Sequence, residues 1–270
     1  MCTSAADISL KGRIYAMNYS KIWDDVSRRM RKSHLESNFA AYKSDEYLRI
    51  IRKWCGSLAG KKVLKTDLFE ECYEADQFSD KLGCRNIYGL DVSKCMAANA
   101  KRKNGAMMLV AADIRRIPFR DRTFDIIISN STLDHLKLKD VRPAVKELRR
   151  VLKDDGTLVL TIDNKYNPVY SAGLWAGNRL NIFYFPQERC YTSGEIGEIV
   201  GSENMEIVDE DAIFNIVPPM DMLMAIVERH NKKLSSGISK MIVRLSKRVK
   251  SKPLRYITGR QLAFKIKKVL

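Results

Sequence analysis

From Lys62 onward, short apolar runs alternate with segments whose apolar residues recur at helical spacing. The runs are "KVLKT" (Lys62 to Thr66), "NIYGLD" (Asn86 to Asp91), "MMLVAAD" (Met107 to Asp113), "FDIIIS" (Phe124 to Ser129) and "TLVLTID" (Thr157 to Asp163). Apolar nearly throughout rather than alternating, they predict parallel strands covered on both faces. Between them, "VSKCMAANAKRKN" has Ser93 near its start, and "DVRPAVKELRRVLKDDG" places Val145, Leu148, Val151 and Leu152 on one face, with Gly156 as its end; both predict helices. Strands and helices in alternation predict a doubly wound α/β domain.

Residues 1–59 are predicted mostly helical and packed on the edge of that domain, with Ser44 as the N-cap of "SDEYLRIIRKWCGSLAG" and Gly60 as its stop. After Asp163, "NKYNPVYSAGLWAGNRLNIFYFP" is aromatic, rich in Gly and Asn, and without clean periodicity. It predicts a lid or substrate loop over about 164–186, with a buried surface flap as the other reading. "TSGEIGEIVGSENMEIVDEDAIF" reads as a helix and a strand. The organisation expected is a helical segment at 1–59, a core at 60–220, an amphipathic helix at 221–252 and an edge strand within 253–270, carried by "GRQLAFKIKK", that completes the sheet.

Charge changes this picture at one end. The net charge is +16, and from Arg229 to Leu270 there are 14 Lys and Arg with no Asp or Glu. A near-neutral body with a basic tail points to an anionic partner: phospholipid, phosphorylated substrate or nucleic acid. The tail's Leu234, Ile238, Met241, Ile242, Leu245 and Val249 recur at helical spacing among Lys240, Arg244, Lys247, Arg248 and Lys250, as in a membrane-surface helix. A helix docked on the domain with a wet basic back has the same pattern. RNA is the rival anion, although the helix lacks the stacking aromatics that base recognition usually adds.

The six cysteines show no two-residue pairing and no flanking histidines, so neither a zinc site nor a thioredoxin-type motif is visible. Reduced thiols, no signal-peptide core and no apolar run of spanning length together predict a cytoplasmic protein, peripheral on the membrane if the tail binds lipid.

In open α/β sheets, ligands bind beyond the carboxyl ends of the strands. Asp91 ends the second strand, about 20 residues beyond the first loop, the offset at which a carboxylate can accept ribose hydroxyls. Asp113 ends the third strand and Asn130 follows the fourth, in "SNSTLDHL". Any one of these is also an ordinary cap or turn residue, but three in register at one edge predict a nucleotide-type cofactor.

The run "AADIRRIPFRDRTFDIIISNSTLDHL", continued by "AVKELRRVLKDDGTLVLTIDN", resembles the class I S-adenosylmethionine-dependent methyltransferases, type 11-like group. Pro118, Phe119, Asp121, Phe124 and Asp125 carry the likeness, which runs from about Lys62 to Asp163. It implies a seven-stranded Rossmann-like sheet of order 3-2-1-4-5-7-6 with the last strand antiparallel. It implies S-adenosylmethionine as cofactor, with Asp91 and Val92 at the ribose, Asp113 and Ile114 at the adenine, and Asn130, Thr66, Asp67 and Leu68 toward the methionine part. His135 is the candidate base should the acceptor have to lose a proton; packing or capping is its other reading.

The departure from the family lies in "VLKTDLFEE". Members usually carry an acid at the position of Lys65 and glycines at those of Asp67, Phe69 and Glu71. Two accounts stand. Either the turn is rebuilt, with Asp67 or Glu70 holding the cofactor's ammonium and the following helix facing its carboxylate, or side chains fill the methionine pocket and the fold persists without the chemistry. Methyl transfer to a small or lipid-linked acceptor is the function expected. A non-catalytic binding protein and an RNA methyltransferase are the alternatives, while a nicotinamide dehydrogenase fits the Pro118 to Asp125 segment poorly.

Overall fold

In the computed structural model the five predicted strands form as β1 (Lys62–Lys65), β2 (Asn86–Asp91), β3 (Met108–Ala111), β4 (Phe124–Asn130) and β5 (Leu152–Asp163), joined by β6 (Met205–Asn215) and β7 (Gly259–Lys268). The structure describes residues 19–28, 38–73, 78–179 and 189–215, and parts of 237–269. One sheet holds all seven strands in the order β3-β2-β1-β4-β5-β7-β6. β1 to β5 pair in parallel, and β7 runs antiparallel to both β5 and β6.

Burial explains the apolar runs. Val63, Ile87, Ile126, Ile128, Val159 and Ala263 face one core, while Leu64, Leu90, Ile127, Leu158, Leu160 and Phe264 face the other. Successive side chains point to opposite faces, so a strand covered on both sides has no polar alternate. The first face is covered by α2 (Asn38–Cys55), α3 (Phe69–Tyr73), α4 (Phe78–Lys81) and α5 (Lys94–Lys103). The second is covered by α6 (Leu138–Val151) and α8 (Ser193–Gly201). Residues 19–28 form a further helix, α1. Ser93 caps α5 by accepting the Met96 N–H, and Thr192 with Glu195 forms a capping box on α8.

Several boundaries differ from the expectation. Ser44 lies inside α2 rather than at its cap, and the helix stops at Gly56, whose φ of 63° suits glycine, not at Gly60. Instead of packing at an edge, α2 lies on the sheet face: Tyr47, Ile50, Ile51 and Trp54 are buried, and Trp54 Nε1 donates to Asp209 at 2.8 Å. Gly156 does not end α6, because the chain turns into β5 at Leu152; it sits within the strand, where a Cβ would meet Leu152 Cδ1 at 2.7 Å. β7 is internal, flanked by β5 and β6, and β6 is the edge. Its alternating lysines resemble an edge pattern, yet its side chains are largely covered. The segment read as a lid loop carries helix α7 (Pro168–Arg179), with Tyr170 and Leu174 on its buried side. Residues 180–188 and most of the basic amphipathic helix, including Leu234, Ile238, Ile242, Lys247 and Lys250, lie outside the described residues. Of that helix Met241 and Leu245 are described, and both are exposed.

Candidate active site

The carboxyl ends of β1, β2 and β4, with the loop after β3, surround a cavity of about 180 Å³. Thr66, Asp67, Asp91, Val92, Asp113, Ile114, Asn130 and His135 all line it. Leu68 does not: its side chain is fully buried beneath, and a Cβ on Gly89 would approach its Cδ2 to 2.6 Å. The missing side chain at Gly89 therefore lets the first loop settle onto β2. What Leu68 offers the site is its backbone N–H, donated to Asp91 Oδ2 at 3.2 Å.

The first loop needs no glycine because none of Thr66 to Glu71 lies at positive φ. An aspartate turn closes it, with Asp67 Oδ1 accepting the Phe69 N–H at 3.1 Å. Lys65, fully buried, donates to Glu70 at 2.8 Å and Glu71 at 3.0 Å, and also to the Asp67 backbone carbonyl. Burial alone would depress the Lys65 ammonium, but Glu70, Glu71 and Asp67 outweigh it and hold its pKa well above the ordinary value. Glu70 is brought down to about 2 because Lys65 and then Lys43 overcome its burial. Asp67 goes the other way: burial, with Glu70 and Asp91 nearby, raises it well above the carboxylate range despite Lys65. The turn is thus organised around an ion cluster. Phe69 also lines the cavity, its ring tilted against Tyr73 at 5.0 Å, without closing it.

Asp91 is held by two backbone donors, Leu68 N–H and Ser93 N–H (2.8 Å), and burial raises its pKa to about 6. Asp113 is gripped by Arg115, whose Nη2 lies 2.7 Å from Oδ2 and whose Nη1 reaches Asp140 at 2.7 Å. Most of the Asp113 acceptor capacity is therefore spent inside the protein. Asn130, 1% exposed, has a side-chain amide with no partner for either Oδ1 or Nδ2 among the described residues. A buried amide left without a partner on a cavity wall is a feature that calls for an explanation.

Beyond Asn130, the chain is strained. Ser131 has φ 47° and Phe214 has φ 58°, both on the cavity wall. Ser131 Oγ donates to Asp134 at 2.6 Å and accepts from Gln261 Nε2 at 2.9 Å, while Tyr47 OH donates to Gln261 Oε1 at 2.9 Å. Burial, with Asp163 close by, raises Asp134 to about 6. His135 lies in a short 3-10 turn (Leu133–His135), its ring edge-on to Trp23 at 4.9 Å. Tyr19, Trp23, Lys43 and Tyr47 from the N-terminal helices, and Phe214, Arg260 and Gln261 from β6 and β7, also line the cavity, and sequence reasoning named none of them. No signal in the sequence could have found them, since periodicity marks a buried face without saying what it meets.

Residues 71–160 match the family model described as a methyltransferase domain, a match that begins at the last residue of the first loop. Over that third of its length the chain is similar to S-adenosylmethionine-dependent methyltransferases. The chain is 30% identical over 151 residues to the malonyl-[acyl-carrier protein] O-methyltransferase of Geobacter sulfurreducens, a stretch covering 51% of this chain and 54% of that enzyme. It spans about half the length of the curated relatives it matches. Its fold resembles a putative sarcosine dimethylglycine methyltransferase from Galdieria sulphuraria, with a TM-score of 0.59, 17% identity, and 86% and 87% of the two chains covered. It also resembles phosphoethanolamine N-methyltransferase 2 of Haemonchus contortus in complex with S-adenosyl-L-methionine, with a TM-score of 0.56, 18% identity, and 84% of this chain and 53% of that one covered. At such identities the likeness is one of fold. The strand order and the acid ending β2 follow the pattern that the resemblance implies, and the β1 loop is where this chain departs from it. Among the described residues there is no group of acids, histidines and cysteines able to hold a metal ion.

Proposed function

We propose that the chain binds S-adenosylmethionine in this cavity and directs methyl transfer to a small amphiphilic or lipid-linked acceptor. The observation that carries the reading is the partnerless Asn130 amide sharing a cavity with Asp91 at the carboxyl edge of the sheet. Asp91 has lone pairs left for ribose hydroxyls, Ile114 with Leu90 and Met96 supplies apolar walls for an adenine, and Asn130 offers both donor and acceptor toward the amino-acid part. Asp113, already held by Arg115, acts on the adenine more through its loop than through its carboxylate.

The bound cofactor supplies a methyl group already activated on a sulfonium, so the protein's task is alignment and exclusion of water. Trp23, Tyr47, Phe69 and Phe214 provide an aromatic chamber for the acceptor. His135, at the same wall, is the base for an acceptor that must lose a proton. The amphiphilic reading of the acceptor is supported by Tyr166, Val169 and Trp175 around α7 and by Leu254 and Ile257 on α9 (Lys252–Thr258), all exposed, with the Tyr166 ring 6.3 Å from that of Tyr256 on α9. No helix among the described residues is long and apolar enough to cross a membrane.

Isothermal titration with S-adenosylmethionine and S-adenosylhomocysteine tests the reading. Saturable binding of both is expected; no heat with either at millimolar concentration overturns it.

A further inference from the structure

We infer that Lys43 on α2 and Asp67 in the β1 loop form a two-charge clamp for the zwitterionic amino-acid end of the cofactor, a role that rests on the cofactor reading above. An α-amino-acid group carries an ammonium and a carboxylate side by side, so a site for it must present an anion and a cation together. In a glycine-rich turn backbone N–H groups approach the ligand. Here the loop bears side chains, α3 is a single five-residue turn, and the Phe69 N–H is already taken by Asp67. The carboxylate therefore has to be met by a side chain.

Among the described residues, the Lys and Arg side chains lining the cavity are Lys43 and Arg260. The Arg260 guanidinium lies over the Tyr170 ring at 4.9 Å, on the α7 side. Lys43 stands at the loop end, with its Nζ 3.8 Å from Glu70 Oε1 and 5.8 Å from the Tyr47 ring centre. That contact with Glu70 is long, and Glu70 keeps its 2.8 Å bond to Lys65 whatever Lys43 does. Lys43 can turn to a ligand carboxylate without stranding a buried charge.

Of the three loop carboxylates, Glu70 and Glu71 have side chains 3% and 0% exposed, whereas that of Asp67 is 21% exposed. Its Oδ2 lies 3.5 Å from Lys65, too far for a strong bond, and its carboxyl also shares a hydrogen bond with Glu70. A ligand ammonium at this partly exposed carboxyl supplements the weak Lys65 contact, offsets the neighbouring Glu70 charge and so favours the ionised form of Asp67. The loop's substitutions then act together: Lys65 with Glu70 and Glu71 builds the scaffold, and Asp67 with Lys43 meets the ligand.

The experiment is titration calorimetry on the full chain with S-adenosylhomocysteine and with 5′-methylthioadenosine, which keeps the adenosine and thioether but lacks the amino-acid end. Wild type is expected to favour S-adenosylhomocysteine. Lys43→Gln and Asp67→Asn should each weaken it about ten-fold or more, the loss of one charge-assisted hydrogen bond, while 5′-methylthioadenosine binding stays within about two-fold and Lys43→Arg recovers part of the loss. Equal weakening of both ligands, or equal affinities in wild type, overturns the clamp and leaves the cofactor site standing. Binding of neither ligand to wild type overturns both.

Discussion

Lys65 Nζ lies 2.8 Å from a Glu70 carboxylate oxygen, with neither side chain more than 3% exposed, in the loop that follows β1. Glu71 adds a second buried carboxylate at 3.0 Å. Buried ion pairs contribute little net stability when intact, but removing one partner is severe because the other charge is left uncompensated. Lys65→Met is expected to destabilise the fold by about 3–5 kcal/mol, read as a lowered denaturant midpoint at unchanged slope.

The Asn130 amide makes the opposite prediction. Its two buried polar atoms have no partner among the described residues, and an unsatisfied buried polar group costs about 1–3 kcal/mol. Asn130→Leu should leave stability unchanged or raise it while weakening S-adenosylhomocysteine binding about ten-fold or more. Thermal melts and calorimetry on the same preparation separate the two effects; a variant that melts lower and binds normally would contradict the proposal.

Stability should also depend on pH through Asp134, which faces Ser131 and lies near Asp163 and His135. Its folded pKa of about 6 lies above the ordinary carboxylate value, so the native state holds the proton more tightly than the unfolded chain. The penalty for ionising it is absent below about pH 4, grows between about pH 4 and 6, and is complete above that. Asp134→Asn should melt higher than wild type at pH 7, by on the order of 3 kcal/mol, with the difference vanishing toward pH 4. The Asn side-chain oxygen can still accept the Ser131 hydroxyl.

The exposed residues of α7 and α9 supply a test of the lipid reading. Sedimentation with vesicles containing anionic lipid is expected at low salt and should be lost at high salt. Trp175→Ala combined with Ile257→Ser should weaken it without altering cofactor binding, since neither residue lines the cavity. Absence of sedimentation at low salt would remove the membrane from the proposal, and a shift of bulk RNA at physiological salt would put nucleic acid in its place.

Much of the site was legible because of where it lies. Asp91, Asp113 and Asn130 end or follow strands whose apolar runs are unmistakable, and parallel pairing brings those ends to one edge. The β1 loop was legible in composition but not in arrangement: whether Asp67 or Phe69 faced the cavity depends on the start of α3, and both do. Element ends were misread where local signals were overridden. Gly156 reads as a helix stop, yet the chain enters β5 at Leu152 because Leu152 and Leu158 both belong to the core beneath α6.

The sequence by itself determined the layered sheet and the acids along its ligand edge, since strand period, double-sided burial and strand-end chemistry are all local in the chain. Only the tertiary structure decided the rest of the cavity. Tyr47 meets Gln261 across 214 positions, and Tyr19 meets Asp140 across 121, while Trp23 lies edge-on to His135. Helical periodicity says that such residues are buried, but not against what. The partner is chosen by how α1, α2 and β7 pack onto the sheet, and that packing also sets Lys43 beside the acidic loop.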